Sequence, residues 1–179
     1  MDNKKDELVK KEKEYTEYIE EHRGFVKEAF LKFISSNISD LTSEEIEILR
    51  IAVDNHDLSK YETEEFDAYR KHFFPCTFEN PKDSQKEFEI ALKHHYSLND
   101  HHPQNISRKN GLNKVACIHN ILDWIGMSYK FKDDVWKFYE GSNIKEKIND
   151  EERIYIENIL EEMKMKEDIF YSERDDIQI

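Results

Sequence analysis

Between residues 4 and 35 the apolar positions recur at steps of three and four: Leu8, Tyr15, Tyr18, Ile19, Phe25, Val26, Ala29, Phe30 and Phe33. That spacing predicts one long amphipathic helix with Gly24 as a weak point, and it puts His22 on the apolar stripe rather than among the charges. A second helix has a clear start, because Thr42 with Glu45 forms a capping box and Leu41 with Ile46 a hydrophobic staple. Along it Ile46, Leu49, Val53 and His56 share a face, Asp57 lies beside that face, and Ser59 and Lys60 close the turn. Residues 63–74 read as a short aromatic helix ended by Pro75. Ser84 with Glu87 is a further capping box, opening a helix that carries Phe88, Ala91, Leu92 and His95 on one face and runs on to Pro103. Residues 104–110 are polar, with Arg108 and Lys109, and suit either a phosphate-contacting lid or a linker. After the break at Gly111, Asn113 caps a helix whose stripe is Val115, Ile118, His119, Leu122 and Ile125, with Asp123 on or beside it. Residues 133–139 and 149–165 give two more helices, and residues 172–179 a frayed tail.

The expected architecture is all-α: a single helical bundle of six to seven helices over residues 1–171. Composition agrees, since four Gly and three Pro in 179 residues suit long helices with short connections. Charged residues make up 37% of the chain and mean hydropathy is −0.90, yet 20 Phe and Tyr supply an aromatic core. A net charge of −13 disfavours a long nucleic acid as partner. A small phosphorylated substrate stays open, because a metal and a few Lys or Arg dominate within about 10 Å. Cys76 and Cys117 have no CxxC spacing and fit a reducing cytosol; a charged N-terminal run and the lack of a long apolar stretch argue against secretion and membrane spanning.

The chemistry-bearing residues gather on the apolar faces. A lone His-Asp dipeptide means little, since eight His and fifteen Asp give about 0.7 such pairs by chance. His56-Asp57 gains weight from His22 and Asp123, each on another buried stripe, where an unpaired polar group is costly. His94, His95, His101 and His102 put four imidazoles, the commonest transition-metal ligand, within nine residues.

The order His22, His56-Asp57, Asp123 on an all-α chain resembles the HD-domain superfamily of metal-dependent phosphohydrolases, over roughly residues 15–131. His56 to Lys60 fits its HDxxK form. More narrowly, His56-Asp57-Leu58-Ser59-Lys60-Tyr61, Asn99-Asp100-His101-His102-Pro103, and Asp123-Trp124 through Met127-Ser128-Tyr129-Lys130-Phe131 look like a family of small bacterial and phage proteins with no assigned function. The resemblance implies His22, His56, Asp57 and Asp123 as ligands of a first ion, with Asp57 able to bridge to a second held by His95 and His101 or His102. Two imidazoles and two carboxylates leave open positions on a divalent ion, where bound water reaches a pKa of about 7. His and carboxylate donors suit Mn, Fe, Co, Ni and Zn alike. Lys60, Arg70 and Arg108 are candidates for binding phosphate, and His95 for protonating the leaving group.

The leading expectation is therefore a metal-dependent phosphohydrolase acting on a nucleotide or related small phosphate ester, with Asp57, Lys60 and His95 as catalytic residues. Two alternatives stand beside it. One is a dinuclear-iron oxygenase, because some HD-fold proteins use six ligands in the order His, His-Asp, His, His, Asp. The other is a non-catalytic nucleotide-binding helical protein.

Overall fold

The computed structural model describes residues 2–109 and 111–171, so the expected tail at 172–179 lies outside the described residues. Among these are eight α-helices and no strand: α1 (Asp2–Ser36), α2 (Ser43–Asp54), α3 (Phe66–Phe73), α4 (Pro81–Leu98), α5 (Lys114–Phe131), α6 (Val135–Gly141), α7 (Asp150–Lys164) and α8 (Glu167–Tyr171). Three single 3-10 turns, Leu58–Tyr61, Ile106–Lys109 and Asn143–Glu146, fill the connections.

The all-α expectation holds, and the differences from it are local. α1 runs through Gly24 without a break. The apolar stripe on either side of that glycine is buried, and tertiary packing outweighs the roughly 1 kcal/mol that a glycine costs a helix. The Thr42 capping box forms as expected, with the Thr42 hydroxyl accepting from the Glu45 amide and the Glu45 carboxylate accepting from the Thr42 amide. α4 starts earlier than Ser84, because Asn80 caps it by accepting from the Lys82 amide and proline takes the first turn. It stops at Leu98, well before Pro103, with the Asn99 side chain donating to the His95 carbonyl.

α5 is the axis of the molecule, and α1, α2, α6 and α7 all pack on it. Its contact with α1 is close at Gly126, where an added Cβ would stand 2.8 Å from Val26 Cγ2 and 3.5 Å from His22 Cε1. Val26, Phe33, Leu49, Ile118, Leu122 and Ile156 belong to the main core. A smaller core of Tyr15, Ile19, Tyr69 and Ala91 joins the N-terminal part of α1 to α3 and α4. His22 lies on α1 between residues of the two cores, and the other polar residues of interest converge on it.

Candidate metal centre

α2 ends at Asp54, so His56 and Asp57 lie in the turn after it rather than on its last face. Asp57 adopts a left-handed backbone, φ 57°, one of the few residue types that tolerate it, and the chain then enters the Leu58–Tyr61 turn. This reversal leaves His56 1% and Asp57 2% exposed. α1 contributes His22, α4 His95, the loop after it His101 and His102, and α5 Asp123.

The side chains meet in overlapping groups, His22 with His56 and Asp123, Asp57 with His95, His101 and His102, and His56 with His101 and His119, and Asp57 lies between the first two. On one side His22 Nε2 is 3.1 Å from His56 Nε2 and 2.9 Å from Asp123 Oδ1. His56 Nε2 is 3.6 Å from Asp123 Oδ1 and 3.5 Å from Asp57 Oδ2. On the other side Asp57 Oδ1 is 3.2 Å from His95 Nε2 and 3.7 Å from His101 Nε2, and His95 Nε2 is 2.8 Å from His102 Nε2. Donor atoms about 2.1 Å from one ion at tetrahedral or octahedral angles lie about 3 to 3.5 Å apart, the spacing seen here. These His and Asp groups could hold a metal ion.

Two observations support that fit. Asp57 Oδ1 and His101 Nε2 are buried without a hydrogen-bond partner among the described residues, a costly condition that an ion would relieve. Three of the imidazoles are also in the form that ligates. Burial holds His56 and His101 well below the usual histidine range and pushes His102 down to about 4, so all three are neutral at pH 7. Burial opposes ionisation of Asp57, but the adjacent His56 ring, the Lys60 ammonium and the close approach of His95 outweigh it and hold the carboxyl well below its ordinary value.

A surrounding set of residues orients these groups. Glu65, fully buried, accepts from Ser59 Oγ at 3.0 Å and faces His95 Nδ1 at 2.9 Å and His94 Nδ1 at 2.9 Å. His94 therefore points away from the centre, toward Glu65. The carboxylate on Nδ1 turns His95 Nε2 toward Asp57, the usual arrangement behind a ligating histidine. His119 Nε2 stands 3.0 Å from His56 Nδ1 and fixes that ring in the same way. Lys60 Nζ donates to Asp57 Oδ2 at 2.6 Å and lies over the Tyr69 ring.

Residues 11–162 match a family of unknown function (DUF5662). The chain belongs to this family. No curated protein and no solved structure matches it.

In this DUF5662 protein His22, His56, Asp57, His95, His101, His102, Asp123 and Lys60 come together at one place. Arg70 and Arg108 do not present free guanidinium groups there. Arg70 is 1% exposed and makes a two-pronged pair with Glu79 at 2.6 Å for each prong. Arg108 donates to Glu152 at 2.5 Å and to the carbonyls of Asp100 and His101, so it fixes the loop that carries His101. Sequence reasoning did not assign Glu65 or His119 to the centre. For His119 a signal existed, since it shares the α5 stripe four residues before Asp123; Glu65, at the start of α3, had none.

Proposed function

We propose that the chain is a metal-dependent phosphohydrolase acting on a nucleotide or related small phosphate ester, with two divalent transition-metal ions (Mn, Fe, Co, Ni or Zn) sharing Asp57. The observation that carries this reading is the position of the Asp57 carboxylate, with Oδ2 3.5 Å from His56 and 3.8 Å from His22, and Oδ1 3.2 Å from His95 and 3.7 Å from His101. Bound ions would polarise the phosphoryl group and supply a water ionised at neutral pH.

The residues divide the remaining work. His22, His56, Asp57 and Asp123 would hold one ion, and Asp57, His95, His101 and His102 the second. Lys60, a buried cation next to Asp57, is placed to face a phosphate oxygen once substrate enters. Its pKa is raised: burial works against the charge, but Asp57 more than compensates, so the ammonium persists at neutral pH. His95 has a pKa raised above the ordinary value, because its close contacts with Asp57 and Glu65 exceed the cost of burial. Any His95 not engaged by metal would serve as the proton donor to the leaving group.

The test is phosphate release by protein purified without chelator and reloaded with each of the five metals. His56→Ala and Asp57→Asn should abolish release while helical circular dichroism is kept; full activity in either ends the proposal. The six-ligand order His22, His56-Asp57, His95, His101 or His102, Asp123 also supports the dinuclear-iron oxygenase as a second reading. Oxygen uptake by the iron-loaded protein, with no phosphate release under any metal, would favour it.

A further inference from the structure

Beside the metal centre lies a cavity of about 480 Å³, the size of a small-molecule site, into which Asp123 and His102 both reach. One face of α5 forms its wall, from Asn120 and Asp123 through Trp124 and Met127 to Phe131 at the rim. Phe138 and Ile144 stand opposite, and Phe138 and Trp124 have ring centroids 5.9 Å apart. This is an aromatic and aliphatic slot with one odd member. Asn120 is 0% exposed, and both its amide nitrogen and its amide oxygen lack a hydrogen-bond partner among the described residues. An orphaned donor and acceptor side by side on a buried wall cost about 1 to 3 kcal/mol each unless something fills them.

We infer that this cavity seats a nucleobase or similar planar heterocycle, whose adjacent donor and acceptor pair with the Asn120 amide while its faces meet Trp124 and Phe131. Every nucleobase offers such an edge, and an Asn side chain reads it with two parallel hydrogen bonds. The rest of the lining carries Asp123, Asp133 and Asp134 against the one cation Lys147, so the organic end of the ligand enters uncharged and its phosphate stays at the metal end. A nucleoside monophosphate suits this division better than a triphosphate, whose extra charges would meet carboxylates. As the seat of a substrate's leaving group, the inference rests on the phosphohydrolase reading. As a binding site for the free heterocycle it stands alone.

The deciding experiment is calorimetric titration of the full chain with adenosine, guanosine, cytidine and uridine, none of which carries a phosphate, with ribose as control. At least one nucleoside should bind saturably where ribose does not, and Asn120→Leu should weaken it about tenfold or more. Since a change at a fully buried position can disturb α5, Phe131→Ala serves as the second variant. Its side chain is 64% exposed, and loss of its stacking face should weaken binding about fivefold or more. Binding no tighter than that of ribose, or binding undiminished in both variants, overturns the inference. Nucleoside binding without phosphate release would support it and overturn the hydrolase reading; phosphate release from simple esters with no nucleoside binding would do the reverse.

Discussion

His119 stands beside the proposed ligands, and with His56 and His101 it forms a further group that could hold an ion. Its Nε2 faces His56 Nδ1, and burial lowers its pKa so that it stays neutral. Removal of such a partner typically weakens metal binding by about 10- to 100-fold. His119→Phe should do so, measured by competition against a coloured chelator, while unfolding by urea changes little; unchanged affinity would reduce His119 to a packing residue. Ion pairs away from the centre are what a single sequence hides. Arg70 finds Glu79 nine residues on and Arg108 finds Glu152 forty-four residues on, and nothing in local spacing announces either pairing. The Arg70 pair has a consequence for acid stability. Hydrogen bonds from Arg70, and then from the Cys76 amide, lower the Glu79 pKa from 4.5 to about 2. A depressed carboxyl contributes stability that is present above 4.5 and is lost as pH falls toward 2. Glu79→Gln should therefore cost about 2 to 3 kcal/mol at pH 7, and the cost should shrink steadily below pH 4.5. A penalty independent of pH in urea titrations would contradict this assignment.

The helices themselves were largely legible, because each buried stripe keeps a period near 3.6 and several carry their own caps. Thr42 and Asn113 act as expected, with Asn113 accepting from the Ala116 amide at the start of α5. Where the reading missed, two local signals competed. Asn80 followed by proline starts α4 ahead of Ser84, and the left-handed turn at Asp57 ends a face that periodicity alone would extend through His56. Helix-to-helix approach was not legible at all. Gly24 and Gly126 are both mid-helix glycines, yet only Gly126 lies where two backbones come close. An added methyl at Gly126 meets Val26, so Gly126→Ala should destabilise by about 1 to 3 kcal/mol and, by moving α1, weaken metal binding through His22. Gly24 has nothing within 4 Å of an added Cβ, and Gly24→Ala should stabilise by about 0.5 to 1 kcal/mol. Equal effects of the two substitutions in denaturant midpoints would argue against the α1–α5 contact described here.

At the scale of the molecule, five helices or their connecting turns bring polar groups into one buried centre, and that arrangement carries a stability cost when no ion is present. Asp57, Asp123 and Glu65 are carboxylates in or beside the core of a chain already at −13. A divalent ion that binds only the folded form adds about 2.7 kcal/mol at a hundredfold excess over its Kd. For a chain of this size that raises Tm by about 5 to 10 °C, and chelator should reverse the rise. No helix among the described residues is long and apolar enough to cross a membrane. The fold class and the gathering of His22, His56, Asp57 and Asp123 followed from buried-face patterning. The sharing of Asp57 proposed for two ions came from the resemblance and not from patterning, since only the turn after α2 decides where each carboxylate oxygen points. The metal content of protein purified without chelator tests that sharing most directly. Two divalent ions per chain in the native protein, falling to one or none in Asp57→Asn, is the predicted result; a native protein that holds no metal and takes up none when it is offered would contradict the account.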